Sequence, residues 1–391
     1  MKSDRPKVAF EICGWAMVRH VVEAARSVRA ERIVVVVGHG REQVEKALRD
    51  VPGVEFAVQK EQRGTADAVK AGMRPLRGFE GTVLVLCGDV PLVRESTLRD
   101  LLAAHGRRKA VASVLSVTLA DAGAYGRVLR DDGGAFTAIR EARDCSDTER
   151  AVREINTGIM AFDAAALRSA LRAVRTGNSQ GEYYLTDVPS ILLCRGAPVQ
   201  AVDSGTHDAV IGVNTLAPLA DAGARMRFRV LADLMAAGVE IVDPGTTFVD
   251  RGVTIGRGTR VLPCTVIERG VVVGEHCEVG PFTHLRPGTV MHDRAEVGNF
   301  VETKQAVIGS GAKAKHLTYL GDAEIGARTN VGCGTITANY DGKHKHRTVV
   351  EEDVHIGSGT VLVAPVRVGR IPTRARPCAS PTFVRTLRSR V

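Results

Sequence analysis

The chain has 391 residues, of which 44% are hydrophobic and 4% aromatic, and its formal net charge is +9. That length and apolar content predict about two globular domains. The sequence has no apolar run long enough to span a membrane, no signal peptide and no CxxC pair among its eight cysteines, so we expect a cytoplasmic protein without disulfides or zinc sites.

Residues 1–211 alternate short apolar runs with helical patterns, which predicts a Rossmann-like wound α/β domain. We expect a buried strand over 32–37, a short amphipathic helix over 41–49 and a second strand over 83–86. Ligands bind such sheets at the carboxyl ends of the strands, so Asp89 is a candidate Mg²⁺ ligand. The sequence is equally consistent with Asp89 as a cap of the next helix.

A long helix is predicted over residues 214–238, where apolar residues recur at helical spacing. We expect these side chains to pack rather than to take part in chemistry, and the helix to link two domains. They are Leu219, Met226, Val230, Leu234 and Met235.

From residue 250 onward, glycines preceded by Ile or Val recur in steps of six, which is typical of a parallel β-helix. Each apolar residue should point inward, and each glycine should allow a tight corner. The phase slips twice, and we expect loops with functional residues at the slips. The Ile/Val-Gly pairs end at glycines 256, 274, 280, 298, 326, 332, 357 and 369.

The positive charge is concentrated in the last 22 residues, which hold six arginines and no acid, while residues 1–369 carry a net charge of only +3. This distribution argues against nucleic acid as a partner of the body of the protein. Residues 370–391 also lack the six-residue period. They are either an arm that binds RNA or phosphate or the product of a shifted reading frame, and we favour the second interpretation.

His316 lies where the six-residue phase is broken. Transfer of an acyl group from a thioester to an amine needs a base that works near neutral pH, and histidine suits that role. A structural histidine on the coil is the alternative.

Several short strings resemble those of bacterial sugar nucleotidyltransferases. Together with the hexapeptides, they resemble the family of bifunctional N-acetylglucosamine-1-phosphate uridylyltransferases and glucosamine-1-phosphate acetyltransferases, over residues 2–369. The strings are PKV (6–8), Gln59 with Gly64-Thr65, Gly88-Asp89, YGR (125–127), EINTG (154–158), GEYY (181–184), GVN (212–214), HLTYLGD (316–322) and NYDG (339–342).

The resemblance implies a nucleotidyltransferase domain over 1–211, a linker helix over 212–238, a left-handed β-helix acetyltransferase domain over 239–369 and a basic tail over 370–391. It also implies a homotrimer, small-molecule substrates and a product, UDP-N-acetylglucosamine, that serves peptidoglycan and lipopolysaccharide synthesis.

For the first site, the resemblance implies transfer of a uridylyl group from UTP to N-acetylglucosamine 1-phosphate. Asp89 and Asn214 would hold Mg²⁺, and Lys7 would neutralise charge on the transferring phosphate. Uracil would be bound by Gln59, Gly64 and Thr65, and the sugar by Gly126, Glu141 and Asn156.

For the second site, the resemblance implies acetyl transfer from acetyl-CoA to glucosamine 1-phosphate with His316 as the base, oriented by Glu302. Acetyl-CoA would lie between neighbouring subunits. The sugar phosphate would be bound by Arg286, Lys304 and Lys345, the sugar by Tyr319, Asn330 and Tyr340, and acetyl-CoA by Cys333, Asn339, Tyr340 and Ser358.

The chain departs from the family at both ends. Members open with a strand and a Gly-rich loop, and the resemblance aligns Met1 with the end of that loop. Because backbone N–H groups of such loops bind triphosphate, we expect an impaired uridylyl site. After Gly369 the last coils differ as well, which predicts weakened acetyl transfer. The alternative function is a catalytically inactive trimeric scaffold.

Overall fold

The computed structural model describes residues 3–205 and 212–369. It divides the chain into two units, Met1–Ala222 and Gly223–Val391. The basic tail predicted over 370–391 lies outside the described residues. Among the described helices, none is both long and apolar enough to cross a membrane.

The first unit contains a short 3-10 helix, Lys7–Ala9, and seven α-helices: α1 Met17–Ser27, α2 Arg41–Ala47, α3 Thr65–Gly72, α4 Glu95–Arg107, α5 Asp147–Arg150, α6 Ala164–Leu171 and α7 Asp187–Cys194. Its described strands are β1 Glu11–Ile12, β2 Trp15–Ala16, β3 Ile33–Val37, β4 Val54–Val58, β5 Thr82–Val85, β6 Ala112–Thr118, β7 Arg127–Arg130, β8 Phe136–Arg140, β9 Glu154–Asp163 and β10 Val199–Asp203. Helices α2 and β5 match the predicted helix over 41–49 and the predicted strand over 83–86.

The main sheet has six strands in the order β10-β6-β9-β7-β8, with β5 paired to the C-terminal half of β9. β3 and β4 form a separate parallel pair. Within the described residues no strand joins that pair to β5, and only Val37 of β3 is buried. The prediction for residues 32–37 was therefore right about the strand and wrong about its burial, because β3 has a neighbour on one side only.

Two layers of helix cover the main sheet and account for its apolar strands. In β6 all residues except Thr118 are buried, because both faces are covered. Leu98 and Leu101, three residues apart on α4, are fully buried in one core cluster with Ile155 of β9.

Helix α8, Leu216–Ala236, is the long helix predicted over 214–238. Met226 and Val230 are buried, as expected. The packing expectation was wrong for Met235, whose exposure is 42%, because the buried face of the helix passes through Leu231 instead.

The second unit is a parallel β-helix built from three seven-stranded sheets, which confirms the predicted architecture. We name the sheets by their faces. Face 1 contains β11 Glu240–Ile241, β14 Arg260–Val261, β17 Glu278–Val279, β20 Glu296–Asn299, β23 Lys313–His316, β26 Asn330–Val331 and β29 His355–Ile356. Face 2 contains β12 Phe248–Val249, β15 Val266–Ile267, β18 His284–Leu285, β21 Glu302–Lys304, β24 Tyr319–Gly321, β27 Ile336–Ala338 and β30 Val361–Val363. Face 3 contains β13 Thr254–Ile255, β16 Val272–Val273, β19 Val290–Met291, β22 Val307–Ile308, β25 Ala323–Ile325, β28 Thr348–Val350 and β31 Val366–Val368.

One coil of the helix takes 18 residues, so that Ile255 pairs with Val273 on the coil above. The apolar residues before the glycines point inward as predicted; Val279 is fully buried. A Cβ on Gly256 would lie 2.5 Å from the carbonyl carbon of Gly274. The glycine is therefore required because two coils approach closely, and not only because the corner is tight.

Buried threonines fill the corners between the faces, a feature that the sequence analysis did not single out. The Thr259 hydroxyl donates to the carbonyl of Gly274 at 2.8 Å and accepts from the N–H of Cys277 at 3.0 Å. Such bonds satisfy backbone groups that the sheet ladders leave unpaired. The buried threonines of this unit include Thr247, Thr259, Thr265, Thr283, Thr289, Thr303, Thr318, Thr329, Thr335, Thr337 and Thr348.

Candidate functional sites

The first candidate site lies beyond the carboxyl end of β5. Lys7 reaches it from the 3-10 helix, and its Nζ lies 2.5 Å from Oδ2 of Asp89 and 2.7 Å from Oδ1 of Asn214. Helix α4 is preceded by Arg94, so Asp89 is not its cap. Three polar side chains that are distant in sequence therefore meet at one point.

The oxygens of Asp89 and Asn214 fit a Mg²⁺ ion. Both are hard oxygen donors, and a cationic group, the ammonium of Lys7, already lies between them. The described residues contain no group of three or more His, Cys, Asp or Glu side chains that could hold a metal. Such an ion would therefore complete its shell with water and substrate phosphates, as Mg²⁺ usually does.

The residues predicted to bind the sugar also lie together. The N–H of Asn156 donates to the carbonyl of Gly126 at 2.8 Å, and a Cβ on Gly126 would lie 3.4 Å from Oε2 of Glu141. Glu141 accepts from the hydroxyl of Thr186 at 3.0 Å. Burial raises the pKa of Glu141, the Thr186 bond opposes this, and nearby Asp144 and other acids add to the rise.

The residues predicted to bind uracil lie where β4 leads into α3. Gln59 follows β4 directly, and its N–H donates to the carbonyl of Val37 at the end of β3. Gly64 has a φ of 111°, and a Cβ there would lie 2.5 Å from the carbonyl oxygen of Tyr183. This position therefore requires glycine.

One segment, residues 183–186, joins the uracil and sugar groups. The N–H of Leu185 donates to the hydroxyl of Thr65 at 2.9 Å, and Thr186 donates to Glu141. The GEYY string ends in this segment, so the string marked the right region, although Thr186 itself was missed. The connection places all the predicted residues of the first site in one network of neighbouring loops.

Two further side chains connect the metal and sugar groups, and the sequence analysis missed both roles. The thiol of Cys87 donates to the carbonyl of Gly158 at 3.5 Å. Burial and the charge of Asp89 raise the Cys87 pKa to about 12, against the opposing charge of Lys7, so this thiol stays protonated. Burial also raises the pKa of Tyr125, which bonds the backbone of Gly212 and lies near Asp89.

The second candidate site lies on face 2 of the β-helix, where three cationic side chains converge. Hydrogen bonding to Lys345 and the charge of its ammonium lower the pKa of Lys304, and the charge of Arg286 adds to this. Nη1 of Arg286 lies 2.7 Å from Oε1 of Glu302. Crowded like charges of this kind favour binding of a phosphate dianion.

Lys345 reaches face 2 from an insertion in the coil. Ile325 pairs with Val350, 25 residues later, so the additional residues bulge out between β27 and β28. The insertion is held by Asp341, which accepts from the N–H groups of Lys343 and His344 and from Nε2 of His346. These bonds, the backbone bond of His344 first, lower the pKa of Asp341 well below its usual range.

His316 is exposed at the end of β23, at the corner that leads from face 1 to face 2. The carboxylate of Glu302 is bonded to Arg286 in this structure, and the predicted contact with His316 is not among the hydrogen bonds of the described residues. Asn339 donates to the Asp322 carboxylate, which also lies near Lys304.

The remaining predicted residues of the second site lie on another side of the coil. Asn330 belongs to β26 on face 1. Cys333 follows it at the corner, where its carbonyl accepts from the N–H of Gly359 at 2.7 Å, next to Ser358 on the coil above. Within the described residues, no side-chain hydrogen bond joins this group to Arg286, Lys304 or the insertion.

Taken together, a wound α/β unit with a cation site at a strand end and a β-helix with an anion site define a two-domain transferase. Comparison with known proteins agrees with that class. Residues 1–156 match the model of the MobA-like NTP transferase domain.

Curated relatives match nearly the whole chain. "Bifunctional protein GlmU" of Streptomyces avermitilis is 44% identical over 405 residues, which covers 94% of this chain and 84% of the relative. The protein of the same name from Syntrophotalea carbinolica is 44% identical, covering 95% and 87%, and that from Corynebacterium efficiens is 42% identical, covering 94% and 84%. The chain belongs to the family of bifunctional GlmU proteins. This confirms the resemblance that the sequence indicated, and with it the class of nucleotidyltransferase and acetyltransferase.

Proposed function

We propose that this chain makes UDP-N-acetylglucosamine in two steps. The β-helix acetylates glucosamine 1-phosphate with acetyl-CoA, and the α/β unit then joins the product to a uridylyl group from UTP. The observation that carries the proposal is the convergence of Lys7, Asp89 and Asn214, because phosphoryl transfer needs positive charge at the end of a strand.

In the uridylyl step, a phosphate oxygen of the sugar 1-phosphate attacks the α-phosphorus of UTP, and pyrophosphate leaves. Asp89 and Asn214 would hold Mg²⁺, which neutralises phosphate charge when it is bound. Lys7 donates hydrogen bonds to the transferring phosphate. Gln59, Gly64 and Thr65 position the uracil, and Gly126, Glu141 and Asn156 position the sugar, so that the two reactants are held in line.

In the acetyl step, the amine of glucosamine 1-phosphate attacks the thioester carbonyl of acetyl-CoA. A ring nitrogen of His316 accepts the proton of the amine, and the thiol of CoA leaves. Arg286, Lys304 and Lys345 hold the sugar phosphate, and Tyr319, Asn330 and Tyr340 hold the sugar. Cys333, Asn339, Tyr340 and Ser358 contact acetyl-CoA.

The second site requires a neighbouring copy, which supports a homotrimer. Asn330, Cys333 and Ser358 lie on a different side of the β-helix from Lys304 and Arg286, so one chain cannot close both groups around one ligand. An exposed apolar ladder beside His316 offers an interface. It consists of Phe282, Phe300 and Leu317, which are 51%, 59% and 59% exposed, and the two phenylalanine rings stack at 5.1 Å. The product is used in the cytoplasm, where we place the protein.

The proposal is tested by assaying each half-reaction on the full chain. Uridylyl transfer is followed as pyrophosphate release from UTP and N-acetylglucosamine 1-phosphate, and acetyl transfer as thiol release from acetyl-CoA and glucosamine 1-phosphate. Asp89→Ala should lower the first rate by about 10²-fold and leave the second unchanged. The control is Asp132→Ala, in an exposed turn.

Absence of both activities from the wild-type chain would contradict the proposal and favour the scaffold. The expectation of an impaired uridylyl site stays a prediction that the first assay decides.

A further inference from the structure

The side-chain amide of Gln59 is fixed in one orientation by the protein itself. Its Nε2 lies 3.2 Å from the carbonyl oxygen of Gly64 and 3.1 Å from Oδ2 of Asp67. Both partners can only accept hydrogen bonds, so the NH₂ group must face them. The reverse orientation would place three oxygens against one another.

The fixed orientation leaves the Gln59 carbonyl as the group that a ligand meets. No described residue donates a hydrogen bond to Oε1, because both protons of Nε2 point into the protein. The site therefore presents an acceptor and no donor at this position.

We propose that Asp67 is a positioning residue that sets the base specificity of the nucleotide site through Gln59, an inference that rests on the proposed role of Gln59 in uracil binding. Uracil carries a proton on N3, whereas cytosine has a lone pair there. An acceptor fixed opposite N3 bonds the first base and repels the second. Asp67 is suited to this task because it is a carboxylate with only 16% side-chain exposure, and it cannot turn a donor toward Gln59.

Asp67 is also the anchor that a substitution can change. Gly64 contributes a backbone carbonyl, which every variant keeps, whereas an amide at position 67 could donate to Oε1 and stabilise the reversed Gln59. Asp67→Asn removes one of two anchors of similar length, so the preference for UTP over CTP should fall about tenfold, the value of one hydrogen bond.

The experiment is calorimetric titration of the full chain with UTP and with CTP, which needs no turnover. The measured quantity is the ratio of the two dissociation constants. Wild type should favour UTP, Asp67→Asn and Asp67→Ala should both lower the ratio, and Gln59→Ala should lower it further. Thermal unfolding of each variant, together with its acetyl-transfer rate, reports whether the chain is folded.

Glu61→Gln is the matched control. Glu61 and Asp67 both lie within 4 Å of Arg63, at 3.7 Å and 3.4 Å, so each change removes one negative charge beside the same guanidinium. Glu61 makes no hydrogen bond to Gln59 in the described structure. Glu61→Gln should therefore change the affinity for both nucleotides alike and leave their ratio unchanged.

Two results would overturn the proposal and separate its causes. If Gln59→Ala lowers the ratio and the Asp67 variants do not, Gln59 reads the base without help from Asp67. If Gln59→Ala leaves the ratio unchanged, or wild type binds UTP and CTP equally, the proposed role of Gln59 falls together with that of Asp67, while pyrophosphate release still tests the uridylyl activity independently.

Discussion

The two units of this protein build their candidate sites in opposite ways. In the α/β unit, loops from distant parts of the sequence converge, and hydrogen bonds already join the predicted residues within one chain. In the β-helix, rigid faces hold the predicted residues apart, with Asn330 on face 1 and Lys304 on face 2. The difference suggests that the first site is complete in a monomer and that the second depends on assembly.

The comparison is tested most strongly by His316→Ala. Loss of the base should lower the acetyl-transfer rate by about 10³-fold and leave uridylyl transfer unchanged. Thiol release and pyrophosphate release measure the two rates on one preparation. His355→Ala is the matched control, because His355 is also exposed on face 1. Equal effects of the two changes would show that His316 is a structural residue.

The next largest effect is expected from Arg127, which holds a loop of the first site. Its guanidinium is buried and donates to backbone carbonyls of Ala122, Gly123 and Tyr125, without a carboxylate partner among the described residues. Arg127→Met should leave those carbonyls unpaired and lower the free energy of unfolding by about 2–3 kcal/mol. It should also raise the KM for the sugar phosphate, since the loop carries Gly126.

Urea unfolding and uridylyl kinetics measure the two effects of Arg127→Met. Arg32→Met is the control, since the Arg32–Glu55 pair is partly exposed and should contribute below about 1 kcal/mol. An unchanged KM, with acetyl transfer intact, would show that Arg127 does not position the sugar loop.

In the β-helix, stability should depend on the spacing of the coils. Gly256→Ala would place a methyl group against the backbone of Gly274 and should cost about 1–3 kcal/mol. Gly270→Ala is the comparison: it has a φ of 76° and open space around it, so only backbone strain of about 1 kcal/mol applies. Thermal unfolding of both variants gives the order, and equal losses would argue against close approach as the reason for the glycine.

The smallest expected effect is a pH dependence confined to the first unit. His105 is buried between α4 and β6, bonded to the hydroxyl of Ser113 at 2.9 Å, and burial lowers its pKa although Asp163 opposes this. The unfolded chain therefore binds a proton more readily, and stability should fall as the pH drops below about 6.5. His105→Gln should flatten that slope in urea unfolding measured between pH 5 and 7.

The sequence predicted the β-helix better than the wound sheet, and the reason is physical. A repeat needs the same residue at each step, so Val279 and Gly280 announce both an inward position and a corner. The burial of β3 depends instead on which strand lies beside it, which no local pattern records. For the same reason Met235 was assigned to a packed face that passes through Leu231.

Among the site residues, those in distinctive strings were found and their supports were missed. Asp89 follows a strand and His316 breaks a period, so both stood out. Thr186, Cys87 and Asp67 act through hydrogen bonds to those residues from other segments, and an isolated threonine, cysteine or aspartate gives no signal of such a partner.

The insertion between β27 and β28 shows how this scaffold tolerates change. Register is recovered immediately afterwards, because Ile325 and Val350 pair as if the additional residues were absent. A longer loop at that corner would cost little, since doubling its length adds only about 0.6 kcal/mol of closure entropy. The corner is therefore a place where the reach and chemistry of the acetyl site can be redesigned, or can diverge in evolution, while the prism beneath it stays as it is.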